Sequence, residues 1–165
     1  MFEFLENFRI VLVTGPQRSG TRICSRMIAA DTAFQYVDEN AFHVHDVHEF
    51  TQILKGKRLV VQCPALCYRI QQHSGKDTAI VLMLRDVADI IASQERINWQ
   101  GEERELKKYK RQFGVISEVK YTHWFLHQRR KIHNPYEIEY RKLNSHPLWV
   151  DPEKRAEFGA AQWKI

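Results

Sequence analysis

The sequence predicts a three-layer α/β/α domain on a mainly parallel sheet of about five strands, and three observations carry that reading. Short, continuous apolar runs recur along the chain, as expected of strands buried on both faces. Segments of helical periodicity stand between them, the alternation that joins parallel strands through crossover helices. The chain has 165 residues, 44% hydrophobic and 12% aromatic, which suits one core and not two large ones. Without internal repeats, low-complexity tracts or Gly/Ser linkers, residues 1–165 read as a single domain.

The first strand is expected over residues 9–14, an apolar run closed by Gly15-Pro16. A helix is expected over 19–30, where Ile23, Met27, Ile28 and Ala30 form an apolar stripe. Residues 34–37 read as a weaker strand, and 47–55 as a short helix closed by Gly56. The third strand, 58–62, ends at Cys63-Pro64, with Pro64 suited to the first turn of a helix running to about Gln72. Residues 78–84 (TAIVLML) are the clearest strand, followed by helix over 87–97. Two charged helical segments are expected over 101–112 and 115–132, an alternating strand over 136–140, and a last helix over 151–158.

Ligands of such sheets bind beyond the carboxyl ends of the strands, an edge that holds Gly15, Asp38, Cys63 and Arg85. Gly15-Pro16-Gln17-Arg18-Ser19-Gly20-Thr21-Arg22 follows a strand and opens a helix. Glycines let the backbone turn sharply and approach an anion, and the first N–H groups of the helix point at it. Arg18, Ser19, Thr21 and Arg22 add charge and donors, so the segment reads as a phosphate-binding loop and the fold as a P-loop fold. It departs from the pattern G-x-x-x-x-G-K-[ST], because Thr21 and Arg22 replace the lysine and the magnesium-binding hydroxyl. Gln62, at the end of the third strand, supplies no acid. A nucleotide bound without metal is the expectation.

These residues resemble the sulfotransferases that use 3′-phosphoadenosine 5′-phosphosulfate (PAPS). Arg18-Ser19-Gly20-Thr21-Arg22 looks like their 5′-phosphosulfate loop, particularly that of heparan-type members. Arg85, followed by Ser93 eight residues later, is similar to their 3′-phosphate site. Residues 138–147 resemble the segment after their last central strand, and Gln162-Trp163-Lys164 a terminal Gly-x-Trp region. The resemblance implies sulfuryl transfer from PAPS, without a metal, to a small-molecule or sugar acceptor. It implies a cofactor site of Gly15, Gln17, Arg18, Ser19, Gly20, Thr21, Arg22, Arg85 and Ser93.

The chain departs from the family in three ways. It is short, which leaves little for an acceptor pocket. Gln62-Cys63-Pro64 lacks the histidine of the cytosolic members, and Arg18 stands in the usual place of a lysine. Heparan-type members use a glutamate after the second strand, so Glu39, or Asp38 beside it, is the candidate base and Arg18 the catalytic cation. Two other readings stay open: a P-loop nucleotide or small-molecule kinase, and a non-catalytic nucleotide-binding module.

The net charge of +5 is modest, and much of the positive charge lies in residues 107–111 and 129–131. Those runs read first as solvated helix faces, and a nucleic-acid partner is not expected. Cys24, Cys63 and Cys67 read as reduced, buried thiols. His43, His45 and His48 crowd around Asp46, which suits a helix N-cap better than a metal site. The four tryptophans read as core, with Trp163 the exception to watch. No apolar run reaches about 18 residues, and Glu3 and Glu6 stand where a signal peptide would begin basic, so a cytoplasmic protein is expected.

Overall fold

The computed structural model describes residues 1–42, 47–55, 57–67, 69–96, 127 and 129–150. Five strands form one sheet: β1 (Ile10–Thr14), β2 (Gln35–Val37), β3 (Leu59–Gln62), β4 (Thr78–Leu84) and β5 (Tyr136–Glu139). Their order is β2-β3-β1-β4-β5, and every pairing is parallel. Three α-helices are described: α1 (Thr21–Thr32), α2 (Val47–Ile53) and α3 (Val87–Arg96).

β1 is central, pairing with β3 from Ile10↔Leu59 to Val13↔Gln62 and with β4 from Ile10↔Thr78 to Thr14↔Leu82. Its side chains alternate between two cores, as the pleat requires. Val11 and Val13 face Ile23, Met27 and Ile28 of α1, together with Val81, Met83 and Leu143. Ile10 and Leu12 face Phe42, Phe50 of α2, Leu66, Ile70 and Leu82. Two apolar faces covered by different segments make the three layers, so the expected P-loop α/β/α architecture is the observed one.

Some elements differ from expectation. α1 starts at Thr21 and not at 19, because Gly20 has φ +103 and a helix cannot begin before a left-handed residue. Where one α-helix was expected over 64–72, the described residues form two 3₁₀ turns, Pro64–Leu66 and Ile70–His73. Their hydrogen bonds run three residues back, as in Cys67 N–H to the Pro64 carbonyl and Gln72 N–H to the Arg69 carbonyl. Either geometry buries Leu66, Cys67 and Ile70, which is why the apolar spacing could not separate them. Arg129–Lys131 is a 3₁₀ turn, ended by the bend at Asn134 (φ +45) before Pro135 and β5. An unexpected 3₁₀ turn, Glu3–Asn7, buries Phe2 and Leu5 against the α1 side of the sheet. The helices expected over 101–112, most of 115–132 and 151–158 lie outside the described residues, as do His43, His45, Trp99, Trp124 and Trp163.

Cys24, Cys63 and Cys67 are buried and form no disulfide, and burial pushes the Cys24 and Cys63 thiols up, away from reactivity. Trp149 packs against the α1-side core as a half-buried side chain. No described helix is long and apolar enough to cross a membrane.

Leu12 is fully buried in the central strand. Leu12→Ala is expected to lower unfolding free energy by about 3 kcal/mol in urea titrations followed by circular dichroism. A loss under about 1 kcal/mol would contradict a β1 packed on both faces.

Candidate functional site

Parallel pairing sets the ends of β1, β3 and β4 on one edge, and the 15–22 loop leaves β1 there. Gly15 has φ +147 and Gly20 φ +103, both in the region that favours glycine. A Cβ on Gly15 would stand 2.7 Å from Ser19 Oγ and 3.0 Å from the Met83 carbonyl oxygen. A Cβ on Gly20 would stand 2.5 Å from Tyr140 Cδ2. Both glycines are therefore required by conformation and by space. Among the described residues no side chain caps the α1 N-terminus at Gly20, which leaves its first N–H groups for an outside acceptor. Ser19 Oγ is buried without a hydrogen-bond partner among the described residues.

Arginines converge on this loop. Arg18, with φ +70, is half-buried, and its Nε donates to Ser93 Oγ at 3.3 Å. Arg85, just past β4, donates from Nη1 to the Arg18 carbonyl at 2.8 Å. Its guanidinium lies over the Tyr140 ring, 4.1 Å from the centroid. Burial lowers the Arg18 pKa, and the nearby Arg96, Arg85 and Arg22 guanidiniums lower it further, against Tyr140. Arginine keeps its charge despite such pressure, so the result is a concentrated positive field. Beside it lies a cleft of about 320 Å³ lined by Arg85, Tyr140, Arg129, Arg141, Asp86, Asp89, Glu139 and Leu84.

Carboxylates occupy the neighbouring edge. Asp38 caps the 3₁₀ turn Glu39–Ala41, accepting from Asn40 N–H at 3.0 Å. It also accepts from the Tyr36 hydroxyl at 2.7 Å and pairs with Arg22 Nε at 3.2 Å. Burial would raise its pKa, but Asn40, Tyr36 and Arg22 outweigh burial and hold it below the usual carboxylate value. Glu39 behaves oppositely. Burial raises its pKa and Asp38 adds to the rise, against the pull of Arg22, Gln17 and Gln62. Gln62 Nε2 donates to Glu39 Oε1 at 3.2 Å, while Gln62 Oε1 stands 3.0 Å from the Tyr36 hydroxyl. Gln17 hydrogen-bonds Glu39 and so links the carboxylates to the 15–22 loop.

The 15–22 loop, Asp38, Glu39, Arg85 and Ser93 come together at this edge, and two of them differ from their ordinary alternatives. Ser93 is buried on Arg18 and not exposed in mid-helix. Arg85 turns to the loop and Tyr140, while Asp86 accepts from Ala88 N–H at 2.8 Å at the start of α3. Sequence reasoning missed Tyr140, Tyr36 and Arg96 as neighbours of the site. Tyr140 lay within the 138–147 segment already noted; nothing in the sequence marked Arg96. Among the described residues no group of three or more His, Cys, Asp or Glu is placed to hold a metal ion. His48 is exposed, 3.4 Å from Gln52 Nε2.

No protein-family model matches the chain, and no curated protein matches it in sequence. Among solved structures, shikimate kinase from Acinetobacter baumannii in complex with shikimate superposes with a TM-score of 0.57 at 13% identity, covering 100% of both chains. YorR protein from Bacillus subtilis, in complex with phosphorylated GDP, gives 0.46 at 8% identity over 79% of this chain and 84% of that one. The first likeness establishes the fold: a five-stranded parallel sheet with a glycine-bounded loop between β1 and α1, the P-loop α/β fold.

A carboxyl whose pKa is raised by folding binds its proton more tightly when folded, so ionising it costs stability above that pKa. Glu39→Gln is therefore expected to raise the urea midpoint at pH 7, with the gain fading below about pH 4, where the unfolded glutamate is also protonated. An unchanged or lower midpoint at pH 7 would refute the assignment of Glu39 as the strained acid of the pair.

Proposed function

We propose that the chain binds a nucleotide by its phosphates at the 15–22 loop and transfers a phosphoryl group to a small molecule, as a P-loop kinase. The observation that carries this is the gathering of Arg18 and Arg85 at the uncapped start of α1, with Arg22 and Arg96 close by. So much positive charge in a half-buried place is favourable when an anion is bound there. The likeness over the whole of both chains to a shikimate kinase supports a small-molecule acceptor.

Magnesium held by the loop does not fit these residues. Arg22 stands where the metal-binding hydroxyl would be, and Gln62, a buried amide, ends β3. Charge neutralisation therefore falls to Arg18, Arg85 and the loop N–H groups, which hold the phosphates and stabilise the charge that develops on the oxygens during in-line transfer. The nucleotide, when bound, supplies the transferable group. Glu39 is the stronger base of the carboxylate pair and takes the acceptor's proton, oriented by Gln17 and Gln62. Asp38, ionised and fixed by Tyr36 and Asn40, keeps Arg22 in place.

One observation favours a second reading, sulfuryl transfer from PAPS. Arg85 and Ser93, the pair similar to a 3′-phosphate site, both meet Arg18, one through its carbonyl and one through its side chain. Loop and arginines would serve a phosphosulfate in the same way, with no metal needed.

Calorimetric titration with ATP and with 3′-phosphoadenosine 5′-phosphate, each with and without magnesium, separates the two. ATP bound at least about tenfold more tightly, a difference of about 1.4 kcal/mol, is the expected result, and the reverse preference would select PAPS. Arg18→Ala is expected to weaken the preferred ligand about tenfold or more, with a shallower salt dependence. If the wild-type protein binds neither ligand, both readings fall.

A further inference from the structure

Where phosphate loops of the usual pattern carry a lysine, this chain has Thr21, which is buried. Arg22, next in sequence, pairs outward with Asp38. The cation that does lie across the loop comes from the end of β4: Arg85, through its 2.8 Å bond to the Arg18 carbonyl. Against it lies Tyr140, the first residue of the 3₁₀ turn after β5. The tyrosine ring stacks beneath the guanidinium, 4.1 Å from centroid to Cζ. The same ring lies so close to Gly20 that a Cβ there would come within 2.5 Å of Cδ2 and 2.8 Å of Cε2. Behind it, Trp149 packs edge-on at 5.3 Å between centroids. One ring thus touches both the loop backbone and the cation.

We infer that Tyr140 is a positioning residue for phosphate binding, holding Arg85 over the loop so that this guanidinium takes the part of the missing loop lysine. The inference rests on the phosphate-binding reading above and deepens it. A guanidinium stacked on a ring keeps its charge and a fixed fork of donors, which suits both a backbone carbonyl and phosphate oxygens. An ammonium is a point charge on a flexible stem and does not reproduce a planar fork of donors held against a ring. The ring and not the hydroxyl carries the role, since the contacts to Arg85 and Gly20 are both made by ring atoms.

The test is calorimetric titration of the wild type, Tyr140→Phe, Tyr140→Leu, Arg85→Lys, Arg85→Ala and the double variant Tyr140→Leu/Arg85→Ala, with ATP and with 3′-phosphoadenosine 5′-phosphate. Thermal melting monitors folding throughout. Tyr140→Phe is expected to bind within about threefold of the wild type, and Tyr140→Leu and Arg85→Lys each about tenfold more weakly. In the Arg85→Ala background, Tyr140→Leu should cost nothing further, because the ring then has no cation to hold. Unchanged affinity in Tyr140→Leu, or losses that simply add in the double variant, would overturn the inference while leaving phosphate binding in place. Should Tyr140→Leu fail to fold, Arg85→Lys binding as tightly as the wild type would overturn it instead. A wild type that binds neither nucleotide removes the phosphate-binding reading itself, and the inference with it.

Discussion

The site is governed by the parallel pairing of β1 with β3 on one side and β4 on the other. Parallel ladders bring carboxyl ends to a common edge, and here that edge receives Gly15, Cys63 and Arg85 within one layer of the sheet. The two strands are further locked at that end: Cys63 N–H donates to the Val13 carbonyl at 2.9 Å, and Thr14 Oγ1 to the Cys63 carbonyl at 3.1 Å. The chain crosses from one side of β1 to the other between β3 and β4, which opens a crevice at the switch. Loop, arginines and carboxylates are consequences of that geometry.

Within the crevice the charges are sorted by strand. Beyond β1 and β4, Arg18 and Arg85 meet through the Arg18 carbonyl, with the Ser93 hydroxyl on the Arg18 side chain and Asp86 turned to the start of α3. Beyond β2 stand two adjacent carboxyls with opposite shifts. Asp38 gains three partners and stays ionised with ease; Glu39 is driven the other way by burial. Neighbouring acids whose environments push their pKa values apart are suited to different tasks, one structural and one in proton transfer. The backbone contributes as well: Arg18 at φ +70 is an uncommon conformation for a side-chain-bearing residue, and the Arg85 bond to its carbonyl stabilises it.

The central strands and α1 were legible because their signals are local: continuous apolar runs for β1, β3 and β4, and a 3.6-residue stripe for α1. The 64–72 segment was not, since a 3₁₀ pair and an α-helix bury the same Leu66, Cys67 and Ile70. In the site, the loop was legible from its glycines and its place between strand and helix. Arg85 and Ser93 were noticed by spacing, but their meeting at Arg18, 75 residues from Ser93, depends on how β4 and α3 lie beside β1.

By itself the sequence determined the layer architecture, the glycine-bounded loop of residues 15–22 between strand and helix and the two carboxyls after β2, because each follows from neighbours along the chain. Tertiary structure decided which arginine lies across the loop, which carboxyl is strained and that the Tyr140 ring lies against both Gly20 and Arg85. Those properties arise from burial and from contacts across strands distant in sequence. Desolvation and stacking have no local signature; they exist only once β3 and β4 have been laid beside β1, with β2 and β5 outside them.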